Sequence, residues 1–312
     1  MPTPSETEAF HDKILAGDLR SLARAATAIE NQTTKARELI SALFSRTGRA
    51  KIIGFTGPPG AGKSTLVDQI AALLRAQSKT VGIIAVDPSS PFSKGAILGD
   101  RIRMQRHHAD PGVFIRSMAS RGKLGGLARG TLEMALLFDA AGRDYVLIET
   151  VGVGQEEVDI ARLADVTVVV LVPGMGDDVQ AIKAGIMEIA DVFAINKADL
   201  PGAERLEQDI RAMQSVASDV GCTHAASIRR VVSTDSTGVT DLMQVIEQAY
   251  GAREPQSRGV AAWAIRLREL LRDQLLQSLP EAAIQQHAMR VAEKIEDPYT
   301  ALVALASLVG SK

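Results

Sequence analysis

The chain has 312 residues, 46% of them hydrophobic and 23% charged, which suits a globular protein with one large domain or a main domain with appendages. Lys and Arg number 35 against 37 Asp and Glu, a net charge of −2 that excludes a polyanion binder held by bulk charge but allows a local phosphate site. Aromatics at 4% argue against stacking platforms for single-stranded nucleic acid, and the single cysteine, Cys222, excludes a disulfide framework or a thiolate zinc cluster within one chain.

Residues 1–46 show no strand pattern. Leu39, Ile40, Leu43 and Phe44 recur at helical spacing, so this stretch is expected as a helical N-terminal extension. Its first residues, MPTPSETEAFHDK, are acidic and polar, unlike a signal peptide. Residues 47–251 then alternate apolar runs with helical patterns. Strands are predicted at Lys51–Thr56, Val81–Asp87, Val113–Ser117, Tyr145–Glu149, Val166–Val172, Val192–Asn196 and Arg230–Ser233. Helices are predicted at Ser64–Ala76, Leu124–Ala140, Val179–Ile189 and Glu204–Ala217. Near-continuous apolar strands, each followed by a helix, imply an α/β fold: a mostly parallel sheet covered by helices on both faces, with ligands beyond the carboxyl ends of the strands. The run from Val166 to Pro173 contains a Thr and suits a buried strand rather than a membrane span, so a cytoplasmic protein without a membrane partner is expected.

After a linker-like GAREPQSRG stretch, residues 252–312 are again helical. Trp263, Leu267, Leu270 and Leu271 form one stripe, and Asp297-Pro298 reads as an N-cap followed by Pro at the first helical position. Such a tail has no core of its own. It either packs on its own central domain or serves as a dimer arm.

The strongest motif is Gly57-Pro58-Pro59-Gly60-Ala61-Gly62-Lys63-Ser64-Thr65, placed between a predicted strand and a predicted helix. The glycines let backbone N–H groups surround a β-phosphate, the helix N-terminus adds a favourable dipole, and Lys63 brings a point charge to the β/γ oxygens. Ser64 is placed to coordinate Mg²⁺. This is the pattern of a P-loop nucleoside triphosphatase.

Asn196-Lys197-Ala198-Asp199 at the end of a later strand selects the base. The Asp199 carboxylate can accept from guanine N1–H and its N2 amine, whereas adenine would leave it unpaired. Lys197 would lay its stem on the purine face, Asn196 would tie its loop to the phosphate loop, and Ser233-Thr234 would bring backbone N–H groups near guanine O6. GTP is expected, not ATP. Where a D-x-x-G is usual, the chain has Glu149-Thr150-Val151-Gly152. Glu149 can face the metal directly or through water, and Gly152 would offer its N–H to the γ-phosphate. Val153 stands where a water-orienting Gln is common, and Gln155 lies two residues further on. Slow intrinsic hydrolysis, raised by a partner, is therefore expected. Asp87 and Asp100 are either metal-shell carboxylates or turn and cap residues. His107-His108 reads as a polar pair on a solvated or phosphate-side helix face, a reading favoured over metal binding. Cys222-Thr223-His224 is too small to hold a metal, and Arg121 and Lys123 are either phosphate or partner contacts or a solvated loop.

Four segments, ETVGVGQEEVDI, VDPSSPFSKGAILGDRIRM, IRSMASRGKLGGLA and PGMGDDVQAIKAGIMEIAD, closely resemble the MeaB/ArgK family of P-loop GTPases, which includes the human methylmalonic aciduria type A protein. The resemblance runs from about Leu15 to the C-terminus. It implies a helical N-terminal extension, a central GTPase domain, a C-terminal dimerisation arm and a homodimer. It further implies a chaperone for an adenosylcobalamin-dependent acyl-CoA mutase, gating cofactor delivery by the cobalamin adenosyltransferase and protecting and reactivating the mutase; the adenosylcobalamin belongs to the partner. By position, Asp87, Asp100 and Glu149 fall in the magnesium shell. Pro88–Arg101 and Glu149–Asp159 correspond to the first two switches. Pro173–Gly185 matches a third, P-G-x-G-D-x-x-Q-x-x-K, with Gln180 and Lys183 at signalling positions. The charges Asp177, Asp178 and Lys183 could exchange partners there when a mutase docks. Two other classes compete: a metallochaperone GTPase inserting nickel or cobalt, weakened by five scattered His and one Cys, and a kinase, for which no acceptor base is recognisable.

Overall fold

The computed structural model describes residues 6–87, 104–107, 109–119, 126–150, 163–174, 189–219, 226–252 and 255–309. The chain divides into two units, Met1–Arg253 and Glu254–Lys312.

Three helices open the first unit: α1 (Glu6–Leu15), α2 (Leu19–Glu30) and α3 (Thr34–Leu43). Asp18 and Thr33 cap α2 and α3, their side chains accepting from Ser21 N and Ala36 N. Leu39 and Leu43 are buried as the periodicity predicts, but Phe44 is 46% exposed, because the chain tightens into a 3₁₀ turn over Phe44–Arg46 and leaves the helical face.

The described strands form one seven-stranded sheet, ordered β3-β2-β4-β1-β5-β6-β7, with every pairing parallel. They are β1 (Lys51–Thr56), β2 (Val81–Asp87), β3 (Val113–Ala119), β4 (Tyr145–Thr150), β5 (Val166–Leu171), β6 (Val192–Ile195) and β7 (Ser227–Arg230). Both faces are covered, which is why β4 and β5 are buried at every residue. On one face α4 (Lys63–Ala76) and α7 (Val239–Gly251) bring Leu66, Ile70, Leu74, Leu242 and Ile246 onto Ile53, Ile83, Leu147 and Val168. Elsewhere α6 (Ala203–Asp219) sets Leu206 and Ile210 against Phe193 and Ile195. Against the other face lies α5 (Gly126–Ala140), whose Phe138 ring meets Phe114 edge-on at 5.4 Å. Helices α2 and α3 pack on α5, and Arg116 of β3 pairs with Glu30 of α2.

Two predictions need correction. The last strand is Ser227–Arg230, not Arg230–Ser233. Val231 still donates to Ile195 O, at 2.8 Å, but Val232 turns away to pair with Thr237 in an isolated antiparallel bridge. The Val231-Val232 pair therefore marks the exit from the sheet. The expected GAREPQSRG linker is also shorter, since α8 (Pro255–Ser278) begins at its proline. Proline suits the first helical turn, where its missing N–H has no partner to lose.

In the second unit α8 is followed by α9 (Glu281–Ala292) and α10 (Pro298–Val309). Asp297 Oδ1 accepts from Tyr299 N at 2.9 Å and Thr300 N at 3.1 Å, an N-cap ahead of Pro298. Among the described residues of this unit Ala301 is the buried apolar side chain, while Leu267, Leu271, Leu276, Met289, Leu302 and Val303 are more than half exposed. Among the described residues no helix is long and apolar enough to cross a membrane.

Candidate functional site

The carboxyl ends of β1, β4, β5 and β6 converge at a loop between β1 and α4. Its backbone is set by glycines where other residues would not fit. Gly57 has φ +137°, and a Cβ there would lie 2.1 Å from the Val170 carbonyl oxygen. Gly62, at φ +85°, would put a Cβ 2.4 Å from Asn196 Nδ2. Gly62 also stands at the N-cap of α4 without a side chain, so the first N–H groups of the helix face the loop interior.

Lys63 and Ser64 open α4 and are both buried. The Lys63 ammonium donates to Gly57 O at 2.6 Å and Pro58 O at 2.9 Å, which holds the side chain folded over the loop it would serve. Ser64 Oγ donates to Glu149 Oε1 at 2.5 Å. Glu149 is itself buried, near the end of β4, and next to it the Thr150 hydroxyl lies 3.2 Å from Thr56 Oγ1. A hydroxyl and a carboxylate brought together beside an amide-lined loop are hard oxygen donors, a set that fits Mg²⁺ with phosphate and water completing the shell.

Asn196, fully buried at the end of β6, joins two loops. Its Nδ2 donates to Ala61 O at 2.8 Å, and its Oδ1 accepts from Ser233 N at 3.1 Å. Lys197 takes the left-handed conformation, φ +54°, and its ammonium donates to Gly60 O at 3.0 Å. Asp199 is exposed in the turn that follows. Ser233 and Thr234 lie in a turn beyond β7 rather than at its end, with Ser233 buried and Thr234 exposed. That turn is further fixed where Ser236 Oγ donates to Gln69 Oε1 of α4 at 2.8 Å.

Phosphate-loop residues Gly57 to Thr65, Glu149, Asn196, Lys197, Asp199, Ser233 and Thr234 thus gather on one rim of the sheet. Asp87 ends β2, two strands from β1, and its side chain lies outside the described residues, as do Asp100, Gly152, Gln155, Asp177, Asp178, Gln180 and Lys183.

Reading the sequence missed Asp68, Gln69 and the true place of His107. His107 is 5% exposed rather than solvated, with Nε2 3.0 Å from Asp68 Oδ1. The available signal was the spacing of Asp68 from Ser64, which puts both on one face of α4.

The model of the family "Methylmalonyl Co-A mutase-associated GTPase MeaB" matches residues 22–284. A Pyrococcus abyssi relative whose name carries the word GTPase is 44% identical over 93% of each chain. The mouse protein named "Methylmalonic aciduria type A homolog, mitochondrial" is 33% identical over 75% of this chain and 61% of its own length. A solved structure described as "LAO/AO transport system kinase" superposes with a TM-score of 0.70 at 25% identity, covering 99% of this chain and all of its own. A match across most of the chain, on a phosphate loop, a buried Ser–Glu pair and an N-K-x-D turn held together on one rim, places the protein in the MeaB family of GTPases.

Proposed function

We propose that this GTPase is the nucleotide-driven chaperone of an adenosylcobalamin-dependent acyl-CoA mutase, gating the loading, protection and reactivation of the mutase cofactor. The family match over residues 22–284 carries this proposal, because the family is named for association with methylmalonyl-CoA mutase. The adenosylcobalamin is the partner's, and the cobalamin adenosyltransferase would be engaged only through the mutase.

At the nucleotide, Lys63 would leave the Gly57 and Pro58 carbonyls for the β/γ oxygens while the backbone N–H groups of Gly60 to Thr65 hold the phosphates. Ser64 and Glu149, with Asp87 and Asp100, would hold Mg²⁺, which supplies charge neutralisation along the triphosphate. Asp199 would accept from guanine N1–H and N2, Lys197 would cover the purine face, and the Ser233-Thr234 amides would stand near O6. Gly152 would bind the γ-phosphate through its N–H, with Gln155 close to the attacking water. Asp177, Asp178, Gln180 and Lys183 would carry the state of the site to the mutase. The more than half-exposed apolar side chains of the second unit, Leu267, Leu302 and Val303 among them, support a homodimer arm.

Steady-state GTP hydrolysis, alone and with purified methylmalonyl-CoA mutase, tests the proposal. A slow rate raised at least about tenfold by the mutase supports it. Unchanged hydrolysis with methylmalonyl-CoA mutase and with related acyl-CoA mutases, at concentrations where GTP binds tightly, would overturn the chaperone role and leave the GTPase standing.

A further inference from the structure

The turn that follows β7 is tied down on both sides of Thr234. Before it, Ser233 N donates to Asn196 Oδ1 at 3.1 Å, and Asn196 Nδ2 in turn donates to Ala61 O of the phosphate loop. After it, the Ser236 hydroxyl donates to Gln69 Oε1 of α4 at 2.8 Å. Between these ties the turn closes on itself, with Val232 N donating to Thr237 O at 2.9 Å and Thr237 N donating to Asp235 Oδ1 at 2.9 Å. Two residues in the left-handed region give the turn its path. At Gly238, φ +75°, a Cβ would lie 2.3 Å from Arg230 O, so only glycine fits. Ser236 takes φ +67° while exposed, a backbone that glycine would adopt with less strain. What the serine adds there is its hydroxyl, and the hydroxyl goes to Gln69.

We propose that Gln69 and Ser236 are a positioning pair that sets where the Ser233-Thr234 amides stand against guanine O6. The inference rests on the guanine reading proposed above and names the residues that hold one part of it. Gln69 is half-buried on α4, the helix whose first N–H groups face the phosphate loop, and lies roughly 10 Å along that helix from Gly62. Held by Asn196 alone, the turn could pivot about Ser233. The bond to Gln69 adds a second point of attachment to the same body that carries the phosphate loop, so the exposed Thr234 is placed from both sides. Ser236 is tied to α4 and not to the N-K-x-D turn, so its effect falls on the O6 edge of the base and not on the N1–N2 edge that Asp199 would take. A neutral hydrogen bond in a partly exposed place has a small net worth, so the effect is a few-fold change in base preference and not a loss of binding.

The test uses the full chain with Mg²⁺ and measures displacement of a fluorescent GDP by GTP, by 6-thioguanosine triphosphate and by tripolyphosphate. The thio analogue keeps N1–H and the N2 amine but puts a weakly accepting sulfur in place of O6, so the preference for GTP over it reports the O6 contact. Tripolyphosphate reports the phosphate site alone. Gln69→Leu removes the acceptor. Ser236→Gly removes the hydroxyl and keeps the left-handed backbone with less strain, so the fold is not at risk. In both variants the preference is expected to fall roughly three- to sixfold, with tripolyphosphate affinity within about twofold of wild type. Gln69→Glu, which can still accept from the Ser236 hydroxyl, is expected to keep the wild-type preference, which a merely space-filling role would not require. Wild-type preference in both Gln69→Leu and Ser236→Gly, an equal loss of tripolyphosphate and GTP affinity, or a loss in Gln69→Glu as large as in Gln69→Leu would overturn the pair. A wild-type protein that does not distinguish GTP from the thio analogue would instead remove the O6 contact on which the pair depends.

Discussion

The same seven strands end in two rims, and carboxylates serve opposite purposes at each. At the amino ends, aspartates are consumed by the protein's own backbone. Asp165 Oδ2 accepts from Ile52 N and Asp191 Oδ2 from Thr167 N, both at 2.8 Å, and Asp144 Oδ2 accepts from Thr80 N at 2.7 Å. Buried Asp139 takes the N–H groups of Gly48, Arg49 and Ala50, which fastens the end of the helical extension to α5. At the carboxyl ends the polar groups hold one another in ways a ligand could exchange. Lys63 rests on carbonyls of its own loop, Ser64 on Glu149, and Lys197 on Gly60. One rim is a finished floor, and the other is arranged so that bonds its side chains make to one another and to loop carbonyls can be traded for bonds to phosphate and metal. Substitutions should therefore separate the two: loss of stability without loss of binding at the floor, and the reverse at the site.

The largest effect is expected at Asp199→Asn. Asp199 is exposed, and among the described residues no hydrogen bond or ion pair ties its side chain to the fold. An amide in place of the carboxylate can still accept from N1–H, but its NH₂ then faces the N2 amine of guanine, donor against donor, whereas xanthine offers an O2 carbonyl that this NH₂ can donate to. Preference for GTP over xanthosine triphosphate should fall by roughly 10²–10⁴-fold, with the melting temperature unchanged, in competition binding. An unaltered base preference would remove Asp199 from the base contact.

Next is Asp139→Ala on the floor. Three backbone N–H groups lose a buried acceptor, a loss of about 3 kcal/mol, or roughly 6–12 °C in melting temperature for a unit of this size. Nucleotide affinity at low temperature should stay at the wild-type value. A parallel drop in affinity would show that the rims are coupled through the sheet, contrary to the contrast drawn above.

The two rims were not equally legible in the sequence. The phosphate loop and the N-K-x-D turn are each contiguous stretches in which the residue types carry their own signal: glycine for φ +85° at Gly62, and at Asp199 the carboxylate proposed above to read guanine. The strands were legible because burial on both faces leaves near-continuous apolar runs. What escaped are pairings between distant residues that share no periodicity. Asp68 and His107 are 39 apart, and Asp139 and Gly48 are 91 apart. His107 looked solvated because a neighbouring histidine suggested a polar face, whereas its burial is decided by a carboxylate on another helix. The misplaced last strand has a similar origin. Val231 and Val232 look like strand residues, yet only the partner strand's length, ending at Ile195, decides where pairing stops.

Asn196→Ala lies between the two classes, because Asn196 belongs to the site by position and to the scaffold by bonding. Its removal leaves the Ala61 carbonyl and the Ser233 N–H without their side-chain partner. A cost of about 2 kcal/mol in stability is expected together with weaker GTP binding, measured by urea unfolding and by titration. Stability loss alone would assign Asn196 to the floor's kind of work.

The smallest effect should come from Asp110→Asn, and its pH dependence makes it informative. The Arg75 guanidinium donates to both Asp110 oxygens, at 2.8 and 3.0 Å, and this hydrogen bonding holds the Asp110 carboxyl below its ordinary range. Arg143, 5% exposed, lies close by, and burial first and the Arg75 charge second push its guanidinium down from its usual value. A carboxyl with a depressed folded pKa stabilises the fold above its unfolded value, about 3.9, and that contribution disappears as pH falls through the folded value. At pH 7 Asp110→Asn should thus lose up to about 1 kcal/mol, since two guanidinium groups then share a corner without their carboxylate. In strong acid the wild type is protonated at the same position, so the two proteins should converge. Urea midpoints at pH 7 and near pH 2 measure this directly. A gap that stays constant between them would mean that Asp110 acts through neutral hydrogen bonds, such as the one Gly112 N donates to it at 2.8 Å, and not through its charge.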